Sequence, residues 1–444
     1  MNIAMSLRGR GSIGSAQRAL KVLSRFGTTA SEMSRRLDRY ERITSDLGVR
    51  PTWPTTACVL ARHPSLLRAY AERGAELALH GLVHGDHAAL DRREQREAIA
   101  RAIDIFRHAG LAPVGFRGPY LLYNDATLDV LRELGLRYHC SQAVAFPVFR
   151  DDERIQAAPS YRRALQLYSA RDSRRIAVRP KVRDGLVDIP VAIPDDEILL
   201  DRLALAEPAR SAEWLHILDL THERGDLFTI QLHPERIFEL ADALRDTLAA
   251  ARRRRPVVFT ATLGVIAGWW LRRSGFRLHV MRTDDDRYRV RLDADADATL
   301  LVRGLDVSRT PWHGRDAIST SRDFETRALR IPVVGVSGRT PPAVHAFLRE
   351  EGLPFAVSDD AQSYGAHIDV PGTEWTEAQV LDAIDSAPGP LVRLWRWPNG
   401  ARSALAVTGD VDALTLQDFA LRFWETRSSL WTGAGASIWT GTRA

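Results

Sequence analysis

The amino-acid sequence predicts an α/β fold in which parallel strands are joined by helical crossovers. Three observations carry that reading. Over residues 1–275 short β-rich runs alternate with amphipathic helical stretches, the rhythm of repeated βα units. From Phe276 onward the rhythm changes to strict alternation, so a smaller β-rich and βα region follows the first. The chain has 444 residues of which 45% are hydrophobic, enough to bury a core and too long for one typical domain. Repeated βα units close into a barrel or lie as an open doubly wound sheet, and in a barrel the C-terminal strand ends carry the chemistry.

Taken in order, the strand candidates are "TTACVL" (55–60), "ELALHG" (76–81), "PVGFRG" (113–118), "LVDIPVAI" (186–193), "LFTIQLH" (227–233) and "PVVFTA" (256–261). Helical periodicity fills the gaps between them, most clearly in "REQREAIARAIDIFRHAG" and in "ATLDVLRELG", which a glycine closes. The domain boundaries expected are therefore a barrel over 1–275, a hairpin-rich module over 276–330 and a βα region over 331–444.

In the second region "FRLHV" and "YRVRL" flank "DDD", which predicts a hairpin with Phe276, Leu278 and Val280 on one face. The run "DADAD" (293–297) imitates the start of a calcium loop. It has Ala298 where such a loop needs its sixth-position glycine and Gly304 where it needs its twelfth-position glutamate, so it reads as a hairpin turn. Residues 331–353 form a strand, a turn and a helix. "PLVRLWRWPNGARSALAVTGDVDALTLQDF" adds two strand runs around a Pro-Asn-Gly turn and then a helix start. The stretch "SSLWTGAGASIWTGTRA" reads as a loose, small-residue tail.

Composition excludes several classes. The formal net charge is +5, and all but two of the 61 basic residues are arginine, the lysines being Lys21 and Lys181. The one dense basic run, Arg252 to Arg255, follows an alanine-rich helical pattern and has no aromatic residues interleaved. It reads as cations at a helix C-terminus, and no nucleic-acid partner is expected. The most apolar stretch, residues 257–271, is shorter than the roughly 20 residues a spanning helix needs. It reads as a strand running into a buried helix, and no membrane span is expected. Two cysteines, Cys58 and Cys140, are too few for a disulfide framework and fit a reducing compartment, so the protein is expected to be cytoplasmic.

The chemistry is concentrated at strand ends. His80 and His84 are four residues apart, a spacing that on a helical turn lets both imidazoles reach one cation, and they follow the strand candidate 76–81. His87 stands close behind them. Arg117 in "GFRGPY" and His233 in "IQLHPE" occupy two further strand ends. A lone HxxxH also describes two solvent-facing histidines, and it is the shared position at strand ends that makes a constellation.

The stretch "GVRPTWPTTACVLARHPSLLRAYAERGAELALHGLVH", with "FRGPY", "LVDIPV" and "LFTIQLHP" following in order, resembles the polysaccharide deacetylase family with its NodB homology domain, carbohydrate esterase family four. The resemblance covers about residues 45–275 and implies a deformed (β/α) barrel of the NodB deacetylase type. By that resemblance His80 and His84 would hold a divalent metal ion such as Zn2+, and Arg117 would orient a catalytic carboxylate. The backbone N–H of Tyr120 would help bind the tetrahedral oxyanion, and His233 would protonate the departing amine. Such a site hydrolyses an N-acyl group, typically acetyl, on an amino sugar or related amide, so a carbohydrate or other N-acyl substrate is expected.

The family opens with paired aspartates ahead of its HxxxH, whereas residues 1–31 here contain neither Asp nor Glu. "AMSLRGRGS" or "VLSRFGTTA" stands in that place. A matching element lies far downstream: "RSALAVTGDVDALTL" (402–416) is an apolar strand ending in Asp410 and Asp412, two alternating residues that point the same way on an extended chain. The expectation is a permuted site with Asp410 as the base and Asp412 as a metal ligand. A Gly-Asp turn in which Asp412 caps the following helix is the plainer alternative. Asp195 and Asp196 in "IPDDE" are a third source of carboxylate and read as a solvated turn.

Three functions follow: a metal-dependent deacetylase, a carbohydrate-binding protein that keeps the fold without the base, and an assembly module. The last draws on the eleven tryptophans, with Trp424 and Trp431 as candidates for an exposed apolar patch.

Overall fold

A computed structural model describes residues 25–148 and 158–426. Its main element is a nine-stranded sheet whose strands run in spatial order Leu227–Gln231, Ser403–Thr408, Thr52–Thr55, Glu76–Leu79, Gly115–Phe116, Tyr138–His139, Leu186–Asp188 and Lys181–Arg183, with Val258–Thr260 pairing onto Ser403–Thr408. All neighbours are parallel except the Lys181–Arg183 edge. A small parallel sheet of Arg171–Asp172, Ala143–Ala145 and Val191–Ile193 continues the curl, and its Val191–Ile193 strand comes alongside Leu227–Gln231. The result is a mixed α/β half-barrel with helices packed outside it.

The strand that completes this sheet comes from far along the chain. Ser403–Thr408 is buried at every residue and pairs with Leu227–Gln231 in the register Leu227↔Ala404 to Gln231↔Thr408. On its other side Thr408 pairs with Thr52, and Val411 continues the contact as a parallel bridge to Thr55. Its apolar run, Ala404 to Val407, suits a strand covered on both faces, which is the condition of an interior strand in a parallel sheet. Gly409 lets the chain leave the sheet at this point, because a Cβ there would stand 2.0 Å from the Leu232 carbonyl oxygen.

The end of the sheet opposite the strand C-termini is closed by the helix Leu263–Ser274. Leu263 N–H donates to Thr52 Oγ1 and Gly264 N–H to Glu76 Oε2, both acceptors lying on the first residues of their strands. Residues 257–271 are thus a half-buried strand and a helix buried on one face, and no helix among the described residues is long and apolar enough to cross a membrane. Arg252 and Arg253 close the helix Ile237–Arg253, the C-terminal position in which cations are favourable.

Three expectations about elements need correction. "TTACVL" is not a strand: the strand is Thr52–Thr55 and the apolar run is the buried helix Ala57–Arg62. Periodicity does not separate a short buried strand from a buried helix, and Pro54 disguised the true strand. "LVDIPVAI" is two strands in two sheets, because Pro190 has no N–H to continue one ladder. "DADAD" is a turn but not a hairpin turn: the strand after it, Leu300–Arg303, pairs with Asp316–Ser319 and Leu391–Leu394 and not with Arg287–Asp293. Arg272 holds Asp295 at 2.8 Å and Asp297 at 3.4 Å, so these carboxylates pin the turn to the helix Leu263–Ser274.

Elsewhere in residues 276–402 the expected hairpin forms, Arg277–Asp284 antiparallel to Arg287–Asp293. A three-stranded parallel sheet, Phe355–Val357, Ile331–Val336 and Tyr364–Ile368, packs against the helices Pro342–Glu351 and Glu377–Ser386. Trp424 is 59% exposed. Trp431 and the tail read from the sequence lie outside the described residues.

Candidate metal centre and its carboxylates

The site gathers at the C-terminal strand ends. His80 follows the strand Glu76–Leu79 directly, and residues 81–86 continue as irregular chain, so the HxxxH pair spans a loop and not the helical turn its spacing suggests. His80 is 1% exposed and its Nδ1 lies 2.9 Å from the Arg117 carbonyl oxygen. A carbonyl only accepts, so Nδ1 carries the proton and the Nε2 lone pair is left facing the mouth. That Nε2 atom lies 3.4 Å from Asp412 Oδ1 and 3.6 Å from Asp410 Oδ2, while His84 Nε2 lies 3.2 Å from Asp412 Oδ2.

Asp410 and Asp412 reach the mouth because their segment extends the sheet beside Pro54 and Thr56: Val411 N–H donates to the Pro54 carbonyl and Thr56 N–H to that of Val411. The alternation of extended chain then turns both carboxylates toward the histidines. The capping alternative fails, since Thr415 and Asp418 form the capping box of the helix Leu416–Glu425 and leave Asp412 out of it.

Arg117, fully buried, is the fixed point of the second carboxylate. Its Nε donates to the Cys140 carbonyl, Nη1 donates to Thr408 Oγ1 and, at 2.9 Å, to Asp410 Oδ1, and Nη2 lies 3.2 Å from Cys140 Sγ. With Oδ1 held, Asp410 presents Oδ2 to the mouth, where it also accepts from Gln231 Nε2 at 3.2 Å. Burial alone would raise the Asp410 carboxyl, but its neighbours His80, Arg117 and His233 outweigh it and lower the pKa, so Asp410 is a carboxylate at neutral pH.

His233 stands on the far side of Asp410, its Nε2 3.9 Å from Asp410 Oδ2. Its Nδ1 is 2.9 Å from Asp196 Oδ1, and Asp196 Oδ2 accepts the His233 backbone N–H. Asp195 and Asp196 are therefore not a solvated turn: both are buried, and Asp196 is the partner of His233. Burial opposes protonation of His233, but the Asp196 charge and hydrogen bond prevail and raise its pKa to about 10.

Tyr120 lies in the turn after Arg117 with a left-handed backbone, φ 60°, and its ring meets the His84 ring edge-on at 4.5 Å. Three further residues escaped the sequence. Arg422 Nη2 lies 3.1 Å from Asp412 Oδ2, Arg236 joins His233 in pairing with Asp196, and Gln231 holds Asp410. The only signals for the first two were an arginine one turn from the end of an amphipathic helix and the arginine in "HPER".

The donor set suits a divalent ion. Among the described residues one group of three or more metal-type ligands comes together, His80, His84 and Asp412, with one donor atom from each within 4.8 Å of the others. Donors about 2.1 Å from a tetrahedral ion stand about 3.4 Å apart, close to the separations found here. Among the described residues His80 Nε2 and Asp412 Oδ1 are buried with no hydrogen-bond partner, which suits donor atoms for a cation. Burial, then Arg422 and His80, against the pull of Asp412, hold the His84 pKa well below its ordinary value, so the imidazole is neutral and able to ligate.

The fold and this cluster define an α/β half-barrel with a candidate His-His-Asp centre at its mouth. Residues 36–139 match the family described as polysaccharide deacetylase, and the chain carries a polysaccharide deacetylase-like domain. The peptidoglycan deacetylase-like protein FGM2 of Gibberella zeae is 28% identical over 134 residues, 30% of this chain; the match spans only 40% of that relative's length. Among solved structures, a protein designated a polysaccharide deacetylase from Mycobacterium smegmatis is 22% identical over 53% of this chain and 76% of its own, with a TM-score of 0.39. A family 4 carbohydrate esterase from Streptomyces lividans is 20% identical over 35% of this chain and 72% of its own, TM-score 0.23. The family match includes His80, His84 and Arg117 and stops short of His233, Asp410 and Asp412.

Proposed function

We propose that this protein is a metal-dependent hydrolase that removes an N-acyl group, acetyl first among them, from an amino sugar or a related amide. The observation that supports this reading is the meeting of Asp410 and Asp412 with His80 and His84 between Arg117 and His233. The alternative of an inactive carbohydrate-binding domain drew on a barrel lacking its N-terminal acid pair, and the two carboxylates from residues 410 and 412 answer that lack.

In this reading His80, His84 and Asp412 would hold a divalent ion such as Zn2+, which when bound would supply Lewis-acid polarisation of the amide carbonyl and a lowered pKa for water. Asp410 Oδ2 takes the proton of the attacking water, while Arg117 on Oδ1 keeps the carboxylate aimed and ionised. His233 gives the proton at Nε2 to the leaving amine, and Asp196 on Nδ1 keeps the ring charged and oriented for it. The turn at Tyr120 lies beside His84, where its backbone N–H would serve the oxyanion.

The test is hydrolysis of N-acetylglucosamine oligomers followed by acetate release. Wild-type protein with added Zn2+ or Co2+ releases acetate, chelation stops it, and Asp410→Asn lowers kcat by about 10²–10⁴-fold, the range for loss of a general base. No release from N-acetylated sugars or simple N-acyl amides with any divalent metal overturns the proposal.

A further inference from the structure

A second cleft lies far from the mouth, between the end of the helix Leu263–Ser274 and the end of the helix Pro342–Glu351. It encloses about 540 Å³, a volume suited to a small molecule. Trp270, Phe276 and Leu353 give it apolar walls, and four arginines, Arg179, Arg273, Arg277 and Arg349, line it against one carboxylate, Glu350.

The ion pairing around the cleft is uneven. Arg179 is paired with Glu350 and Glu351, and the neighbouring buried arginines Arg303, Arg393 and Arg396 each have a carboxylate within 4.0 Å. Arg273, Arg277 and Arg349 have none among the described residues. Arg273 is 5% exposed, and its donors go to the carbonyls of Trp395, Glu350 and Leu394, which accept hydrogen bonds but supply no counter-charge. Burial and the adjoining arginines, only partly offset by Glu351, lower its pKa to about 9. Trp270 lines the same cleft at 3% exposure with its guanidinium neighbour Arg273 4.9 Å over the ring, and its Nε1–H is buried without an acceptor among the described residues. Buried donors are nearly always satisfied, and buried charges nearly always paired. One bound oxyanion would supply both the acceptor and the charge, while Trp270 and Phe276 would cover its apolar part.

We propose that this cleft binds an anion carried on a flat apolar body, a carboxylate or a phosphate on an aromatic or acyl group, at a site separate from the barrel mouth. The full chain is titrated calorimetrically with benzoate and with phenyl phosphate, each against benzyl alcohol and inorganic phosphate. Saturable binding of either aryl anion is expected, with benzyl alcohol silent and inorganic phosphate at least about tenfold weaker, and the better of the two anions identifies the head group. Arg349→Met and Trp270→Phe each weaken that binding by about tenfold, the effect of one lost charge-assisted hydrogen bond or ion pair. These variants leave in place the carbonyl contacts that Arg273 makes. His84→Ala leaves the binding unchanged. Failure of both anions to saturate, equal binding of benzyl alcohol or inorganic phosphate, unaltered binding in both cleft variants, or loss of binding in His84→Ala overturns the proposal.

Discussion

Asp412 Oδ1 stands 3.4 Å from His80 Nε2, although His80 directly follows the strand Glu76–Leu79 and Asp412 lies beyond Ser403–Thr408, the last strand in sequence among the described residues. The candidate ligand set is therefore assembled from opposite ends of the chain, and its cation affinity can be separated from its chemistry.

Removing a candidate ligand is expected to break the cluster and leave the barrel folded. His84→Ala and Asp412→Asn each lower the affinity for Zn2+ or Co2+ by on the order of 100-fold or more, beyond the 10–100-fold that loss of a supporting residue causes. Calorimetry, or the visible spectrum of the Co2+ protein, reads this directly. Retention of wild-type affinity by both variants would remove His80, His84 and Asp412 as the ligand set.

The His233–Asp196 pair makes a prediction about alkaline pH. The folded pKa of His233, about 10, lies above its ordinary value near 6.5, so its ion pair stabilises the fold fully below about 6.5 and is lost as the pH rises through about 10. Asp196→Asn removes the partner that raises it. The variant's imidazole titration by NMR moves down by at least a unit, and its alkaline loss of acetate release moves in the same direction. An unmoved titration would mean that Asp196 does not set the charge of His233.

Asp418 predicts the acid side. It accepts the Leu414 and Thr415 N–H groups and pairs with Arg62 and His63, joining the helix Leu416–Glu425 to the helix Ala57–Arg62. Burial would raise its pKa, but the hydrogen bond from His63 and the Arg62 charge bring it to about 2. A depressed carboxylate stabilises above its ordinary value near 3.9, and that contribution is lost as the pH falls through about 2. Asp418→Asn costs roughly 1–3 kcal/mol at pH 7 and much less at pH 2, as lost caps and partly buried pairs do. Urea titrations at the two pH values check it, and an equal loss at both would refute the assignment.

Gly409→Ala probes the exit of the last sheet strand. Its Cβ would lie 2.0 Å from a carbonyl oxygen, so strand or loop must shift, at about 1–3 kcal/mol for overpacking. The shift also moves Asp410 and Asp412, so Zn2+ affinity falls together with the denaturant midpoint. Wild-type affinity in a destabilised variant would show that the carboxylates are placed independently of the strand.

Much of the site was legible because parallel strands end where polar residues interrupt apolar runs. His80, Arg117 and His233 each mark such an end, and Asp410 and Asp412 show the two-residue period of extended chain. What the sequence hid depends on tertiary partners. Asp196 reads as a solvated turn until His233 and Arg236 fold over it, and nothing in the sequence marks Arg422 until its helix brings it against Asp412. Thr52–Thr55 was masked by Pro54, whose missing N–H argues against a central strand when the neighbouring segment is unknown.

The interior position of Ser403–Thr408 has a consequence for biosynthesis. Until residue 408 has cleared the ribosome, the strands Thr52–Thr55 and Leu227–Gln231 each display an unpaired apolar edge, and no amount of local helix formation fills the gap between them. Maturation of the barrel therefore waits on a contact of very long sequence separation, which slows folding and prolongs exposure to chaperones. A chain interrupted before this strand would emerge as an aggregation-prone fragment, and not as a smaller folded barrel.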